Sequence, residues 1–185
     1  MSKRKRKPSK GKTMNPNFFI FCEGDTEELY VKFLKSQYRV PIEVDSKIAG
    51  NRITKTYITN YKKGKYIHKK DKTFLLYDLD APKILEKLQA ISDTILLVSN
   101  PCIELWYLLH YKDQKAEINC KNCISDLTNR NKSYNKTILD KKLKQNLLDK
   151  QDKAINRAKK LTKYSNPSSS VYILIEALKE AQENK

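Results

Sequence analysis

The sequence predicts an α/β protein, with a mostly parallel sheet of about four strands between helices and a helical C-terminal part. Three observations predict it. Continuous apolar runs at 18–22, 73–77 and 94–98 have the length and polar boundaries of buried strands. Stretches of helical apolar spacing alternate with them, and strands alternating with helices imply parallel pairing with helices on both faces. Beyond about residue 116 only helical spacing is left. The 185 residues fit one domain. A basic arm over 1–14 precedes an α/β core over 15–115, and a helical extension over 116–185 packs on the same domain.

The arm holds seven Lys or Arg and no acid, which reads as a disordered, solvated segment. Asn15, Pro16 and Asn17 mark its boundary. The strand 18–22 stops at Glu23 and turns at Gly24. A helix follows, with Asp25 as N-cap, Glu28 in capping-box position and Leu29, Tyr30, Phe33 and Leu34 as its buried stripe. Residues 40–44 alternate and read as a short second strand. Residues 52–61 suggest an amphipathic helix, followed by a loop carrying Lys62, Lys63, Lys65, His68, Lys69 and Lys70.

The strand 73–77 ends in Asp78, Leu79 and Asp80. Pro82 then opens a helix built on Ile84, Leu85, Leu88 and Ile91. The strand 94–98 leads into Ser99, Asn100 and Pro101, read as the start of a helix over 102–111 with Asn100 as N-cap. That helix is apolar almost all round, hence buried, and carries one acid, Glu104. Helical spacing returns at 124–127, 136–148, 154–161 and 171–181. The last stretch follows Ser165, Asn166 and Pro167, which repeats the earlier tripeptide.

Lys and Arg number 38 against 21 Asp and Glu, a net charge of +17. Such a surplus favours polyanionic partners, nucleic acid first. An AT-rich genome produces the same excess of Lys, Asn, Ile and Tyr, so charge alone does not choose between the two. No apolar run approaches the roughly 18 residues of a membrane span. The charged N-terminus has no hydrophobic segment behind it, so a cytoplasmic protein with reduced thiols and no membrane contact is expected.

In so basic a chain, acids at strand ends stand out. Glu23 follows the first strand and Glu27 lies a helical turn beyond. Asp78 and Asp80 end a later strand, two apart and on one side. Glu104 lies just after the next strand. A parallel sheet brings all these ends to one edge, where five carboxylates repel unless a divalent cation sits among them. Oxygen ligands in this number suit Mg²⁺ or Mn²⁺. Two such ions about 4 Å apart clamp the attacking and leaving oxygens of a phosphodiester displacement. The competing reading is that Asp25, Glu27 and Glu28 only serve the helix dipole and that the Asp-x-Asp is an ordinary loop.

Three segments together resemble the RloB family of the Toprim superfamily. They are Glu23-Gly24-Asp25-Thr26-Glu27, then Asp78-Leu79-Asp80, then Ser99-Asn100-Pro101-Cys102-Ile103-Glu104-Leu105-Trp106-Tyr107-Leu108-Leu109-His110. Tyr134-Asn135-Lys136 and Asn166-Pro167-Ser168-Ser169 resemble the family's tail, and the likeness spans about 18–175. It implies a Toprim-like three-layer core with a metal-dependent nuclease site. It further implies a toxin effector of prokaryotic antiviral, abortive-infection systems, often encoded beside an ABC- or AAA-type ATPase. Related Toprim effectors cut transfer RNA, which makes RNA the favoured substrate.

By likeness to Toprim nucleases of the overcoming-lysogenization-defect type, Glu23, Glu27, Asp78, Asp80 and Glu104 are implied ligands of Mg²⁺ or Mn²⁺. Lys136 is implied as a basic group that stabilises charge on the scissile phosphate. Two departures, a tight loop after Asp-x-Asp and Ile103 where Phe is usual, leave this chemistry untouched.

Other candidates carry less. Cys120 and Cys123 form a Cys-x-x-Cys with no second pair to complete a zinc site. Cys22 and Cys102 read as small buried thiols. His110, six residues past Glu104, is off its helical face and reads as a core histidine. Tyr57, Tyr61, Tyr66, Tyr134 and Tyr164 lie among lysines and suit base stacking. With the loop Lys62, Lys63, Lys65, Lys69 and Lys70 they form the candidate nucleic-acid contacts. No Walker motif is present, so ATP hydrolysis falls to a partner. The alternative function is a non-catalytic subunit that binds nucleic acid or the ATPase. The sequence leaves self-association open.

Overall fold

The structure, a computed structural model, describes residues 15–40 and 43–183, so the basic arm over 1–14 lies outside the described residues. The chain runs β1 (Asn17–Cys22), α1 (Asp25–Gln37), β2 (Glu43–Ile48), α2 (Lys55–Lys62), β3 (Lys72–Asp78), α3 (Ile84–Gln89), β4 (Ile95–Asn100) and α4 (Ile103–Leu109). It continues with α5 (Cys120–Arg130), α6 (Lys141–Asp149), α7 (Gln151–Lys159), β5 (Ser168–Ser169) and α8 (Tyr172–Glu183). A five-stranded sheet has the order β2-β1-β3-β4-β5, all parallel except β5.

Alternation along the strands divides the interior into two halves, which makes three layers. Phe18, Ile20, Cys22, Phe74, Leu76 and Leu97 face α1, α4 and the C-terminal helices. Phe19, Phe21, Leu75, Tyr77 and Val98 face Ile53, Ile58, Leu88 and Ile91 on the other side. Both faces are covered, which is why these strands read as unbroken apolar runs. Leu127, Leu143, Leu147, Ala154 and Leu174 belong to the α1 and α4 half, so the C-terminal helices share the sheet's core. Among the described residues no helix is long and apolar enough to cross a membrane.

Several local expectations need correction. The second strand is Glu43–Ile48, later than 40–44. Pairing with β1 sets Val44 opposite Phe18, which buries it; Asp45 and Lys47 are tolerated because β2 is an edge strand. The N-cap of α1 is Gly24, not Asp25, and the Glu27 carboxylate accepts the Gly24 N–H at 2.9 Å. Helix α3 begins at Ile84, after a left-handed Lys83, so Pro82 lies in the preceding turn. Ser-Asn-Pro does not start helices here. Both Asn100–Pro101 and Asn166–Pro167 are cis, and Cys102 is the N-cap of α4. Strands also do not end near 116. Ser168 and Ser169 pair with Asn100 and Ser99, a segment too short and polar to show periodicity.

Helix α4 is buried along its whole length, as expected. Its Trp106 indole donates to the Tyr30 hydroxyl at 2.8 Å, tying α4 to α1 inside the core. Tyr30→Phe leaves that N–H without an acceptor where water cannot reach. The expected cost is about 1–3 kcal/mol, read as a lower urea midpoint with unchanged slope.

Candidate metal centre

The strand order reverses between β1 and β3. The β1–β2 crossover runs through α1 on one face, and the β3–β4 crossover through α3 on the other. A crevice opens outside the carboxyl ends of strands at such a switch point. Glu23 directly follows β1 and Asp78 is the last residue of β3. Tyr77 faces the α2 and α3 side, so Asp78 points the other way, toward α1 and α4. Glu27, in the first turn of α1, and Glu104, in the first turn of α4, come to it from there.

The charges of the other four predicted acids all act on Asp78. Burial pushes the Asp78 carboxyl well above its usual range, and the charges of Glu27, Glu104, Glu23 and Asp80 push it further. Burial likewise raises Glu23 and Glu27 against the opposing effect of backbone donors. Asp80 sits in the exposed loop beyond.

Three of the carboxylates are each held through one oxygen. Glu23 Oε2 accepts the Asp78 N–H at 2.9 Å and Glu27 Oε2 accepts the Gly24 N–H. Glu104, 1% exposed, takes the Tyr134 hydroxyl at 2.9 Å and the Lys136 ammonium at 3.3 Å, both on Oε1. Two shielded oxygens, Asp78 Oδ1 and Glu104 Oε2, have no partner.

Orphaned buried carboxylate oxygens are costly, and an all-oxygen donor set fits a hard cation. Among the described residues, no three His, Cys, Asp or Glu side chains are disposed to enclose an ion by themselves. The fit to a hard cation rests on the two orphaned oxygens, with waters completing the ion's shell as they do for magnesium.

The lysine loop is not brought to this edge. Lys62 reaches Thr73 at the start of β3, and Lys69 and Lys70 precede that strand. They stand at the opposite end of the sheet, about 20 Å away by the rise of a seven-residue strand. Lys65 pairs with Asp45 at 2.5 Å, while Lys63, Lys69 and Lys70 are exposed.

Tyr57 and Tyr61 pack edge-on against Phe21, and Tyr66 is exposed. Tyr164 is half-buried with Lys163 over its ring. His110 is fully buried, its Nδ1 against the Trp106 carbonyl, and burial lowers its pKa to about 4. The charges that act on it are Arg157 and Lys150, not the carboxylates, which supports its reading as a core residue.

Sequence reasoning set Tyr134 aside for stacking and missed its bond to Glu104. The available signal was its place two residues before Lys136. It also missed that Cys102 meets both Cys120 and Cys123. Nothing in the spacing shows this, because the contact is between α5 and the start of α4.

No curated protein and no solved structure matches the chain. The family model of RloB-like proteins does match it, over residues 18–178. With most of its length inside that match, the chain belongs to the RloB-like family.

Proposed function

We propose that the chain is a divalent-cation-dependent nuclease of Toprim type that hydrolyses phosphodiester bonds in RNA, transfer RNA in particular. It acts as toxin effector of a prokaryotic abortive-infection system, beside an ABC- or AAA-type ATPase. The observation that carries the reading is the pair of orphaned oxygens, Asp78 Oδ1 and Glu104 Oε2, at the switch point, where the charges of Glu23, Glu27 and Asp80 also act.

Of Glu23, Glu27, Asp78, Asp80 and Glu104, the acids implied as ligands, Asp78 and Glu104 would hold Mg²⁺ or Mn²⁺ through their unpartnered oxygens, and the other three would add negative charge around it. When bound, the ion supplies Lewis-acid polarisation of a phosphoryl oxygen and a more acidic water. The chain's own residues do the rest. Backbone N–H groups of Gly24 and Asp78 fix Glu27 and Glu23, and Tyr134 fixes Glu104. Lys136 offers a cation to the charge that builds on the scissile phosphate. The surplus of +17 draws a polyanion toward an edge that its acids alone would repel.

A second reading, a non-catalytic subunit that binds nucleic acid or the ATPase, is favoured by two observations. Glu104 already has two donors, and no three acidic side chains enclose an ion among the described residues. The test is purified protein with Mg²⁺ or Mn²⁺ against total cellular RNA and DNA, beside the Asp78→Ala/Asp80→Ala double variant. The nuclease reading expects cleavage that EDTA and the double variant both abolish. Cleavage that survives the double variant with the fold intact rules out this mechanism. Partner binding indifferent to EDTA, with no cleavage, favours the second reading.

A further inference from the structure

We propose that Lys136 is a built-in counter-ion of Glu104 that a divalent cation must displace, and that Tyr134 is the positioning residue that keeps Glu104 aimed through the exchange. The proposal rests on the metal reading of the carboxylates.

Glu104 is buried among acids, with Glu27 and Asp78 within electrostatic reach. Lys136 Nζ, 3.3 Å from Oε1, is the ammonium that the structure sets against it. The two donors on that oxygen differ in kind. Tyr134 is half-buried, neutral and packed edge-on against Tyr107. The Lys136 side chain is 52% exposed, on a flexible stem that can return its charge to water.

Both come from one braced loop. Asn131 Nδ2 and Ser133 Oγ donate to the same Asp140 oxygen, at 2.8 and 3.0 Å. Asn135 Oδ1 takes the Thr137 N–H and hydroxyl. The loop backbone is therefore fixed, and the freedom lies in the lysine side chain. A divalent cation held by Asp78 and Glu104 would be repelled by an ammonium already paired with Glu104, so one must leave for the other to bind. The lysine would then return to water, where a substrate phosphate can take it, while the tyrosine stays.

The two contacts give opposite signs when removed, which a merely structural role of the loop does not. Calorimetric titration of the full chain with Mn²⁺ is the measurement. Lys136→Met, and Lys136→Gln beside it, should bind Mn²⁺ about fivefold or more tightly than the parent, because an opposing charge is gone. Tyr134→Phe should bind about tenfold more weakly, since Glu104 loses its support. Lysine variants that bind Mn²⁺ with unchanged or weaker affinity than a binding parent overturn the proposal alone. No Mn²⁺ binding by the parent or by any variant overturns the metal reading and the proposal together.

Discussion

Asp78→Asn is expected to remove divalent-dependent cleavage by about a hundredfold or more and, in EDTA, to raise the melting temperature. The two effects have one origin. Asp78 sits at the centre of the carboxylates, with one oxygen shielded and unpartnered. Burial first, and then the charges of Glu27, Glu104, Glu23 and Asp80, hold its pKa well above the ordinary 3.8. The folded protein thus binds this proton more tightly than the unfolded chain. Stability from the group is complete below 3.8 and is lost as pH rises through the raised value. Glu23 and Glu27 shift in the same direction.

In EDTA the parent should therefore melt lower as pH climbs from the acid side toward neutrality, and added Mg²⁺ should offset the loss. An amide at 78 cannot ionise, so the variant should show a shallower slope and a higher Tm at neutral pH. The gain is roughly 2–4 °C for each kcal/mol of repulsion relieved. A residue that only stabilised the fold would lose stability and activity together. Thermal melts over a pH series, with and without Mg²⁺, separate the two. A variant that melts lower than the parent at pH 7 in EDTA defeats the argument.

What the sequence made legible follows from how locally each feature is encoded. The strands 18–22, 73–77 and 94–98 declared themselves because both faces of the sheet are covered, so their residues are apolar without interruption. All five acids sit within two residues of a strand end or in the first turn of a helix, where parallel topology alone brings them to one edge. Asp80 follows from the same rule, two past Asp78.

The failures are non-local. Two serines become β5 only because Ser99 and Asn100 offer a free edge. Glu43–Ile48 is polar enough to hide as a strand because it pairs on one side only. The tyrosine that supports Glu104 lies 30 residues downstream of it, across a helix and a loop. The lysine loop was read by composition, which carries charge but no position, and it folded to the far end of the sheet.

That far position makes a second large effect expected, one that depends on substrate length. Lys63, Lys69 and Lys70 are exposed and stand about 20 Å from the carboxylates by the rise of β3. Tyr66, 48% exposed, offers a ring face among them. An RNA of transfer-RNA size is long enough to reach both ends of the sheet, whereas a tetranucleotide at the carboxylates is not. Replacing Lys63, Lys69 and Lys70 together by Gln should weaken binding of the long RNA by about tenfold at moderate salt. Its salt dependence should become shallower by about two units of slope, as three phosphate contacts on a single strand require. Tetranucleotide cleavage should keep its rate and KM.

Lys62 and Lys65 are left in place because they serve the fold, one on Thr73 and the other on Asp45. Equal losses on short and long substrates would mean that these lysines act through the fold and not on the RNA. A loss confined to long RNA would make the opposite end of the sheet the anchor that sets which molecules the carboxylate edge receives.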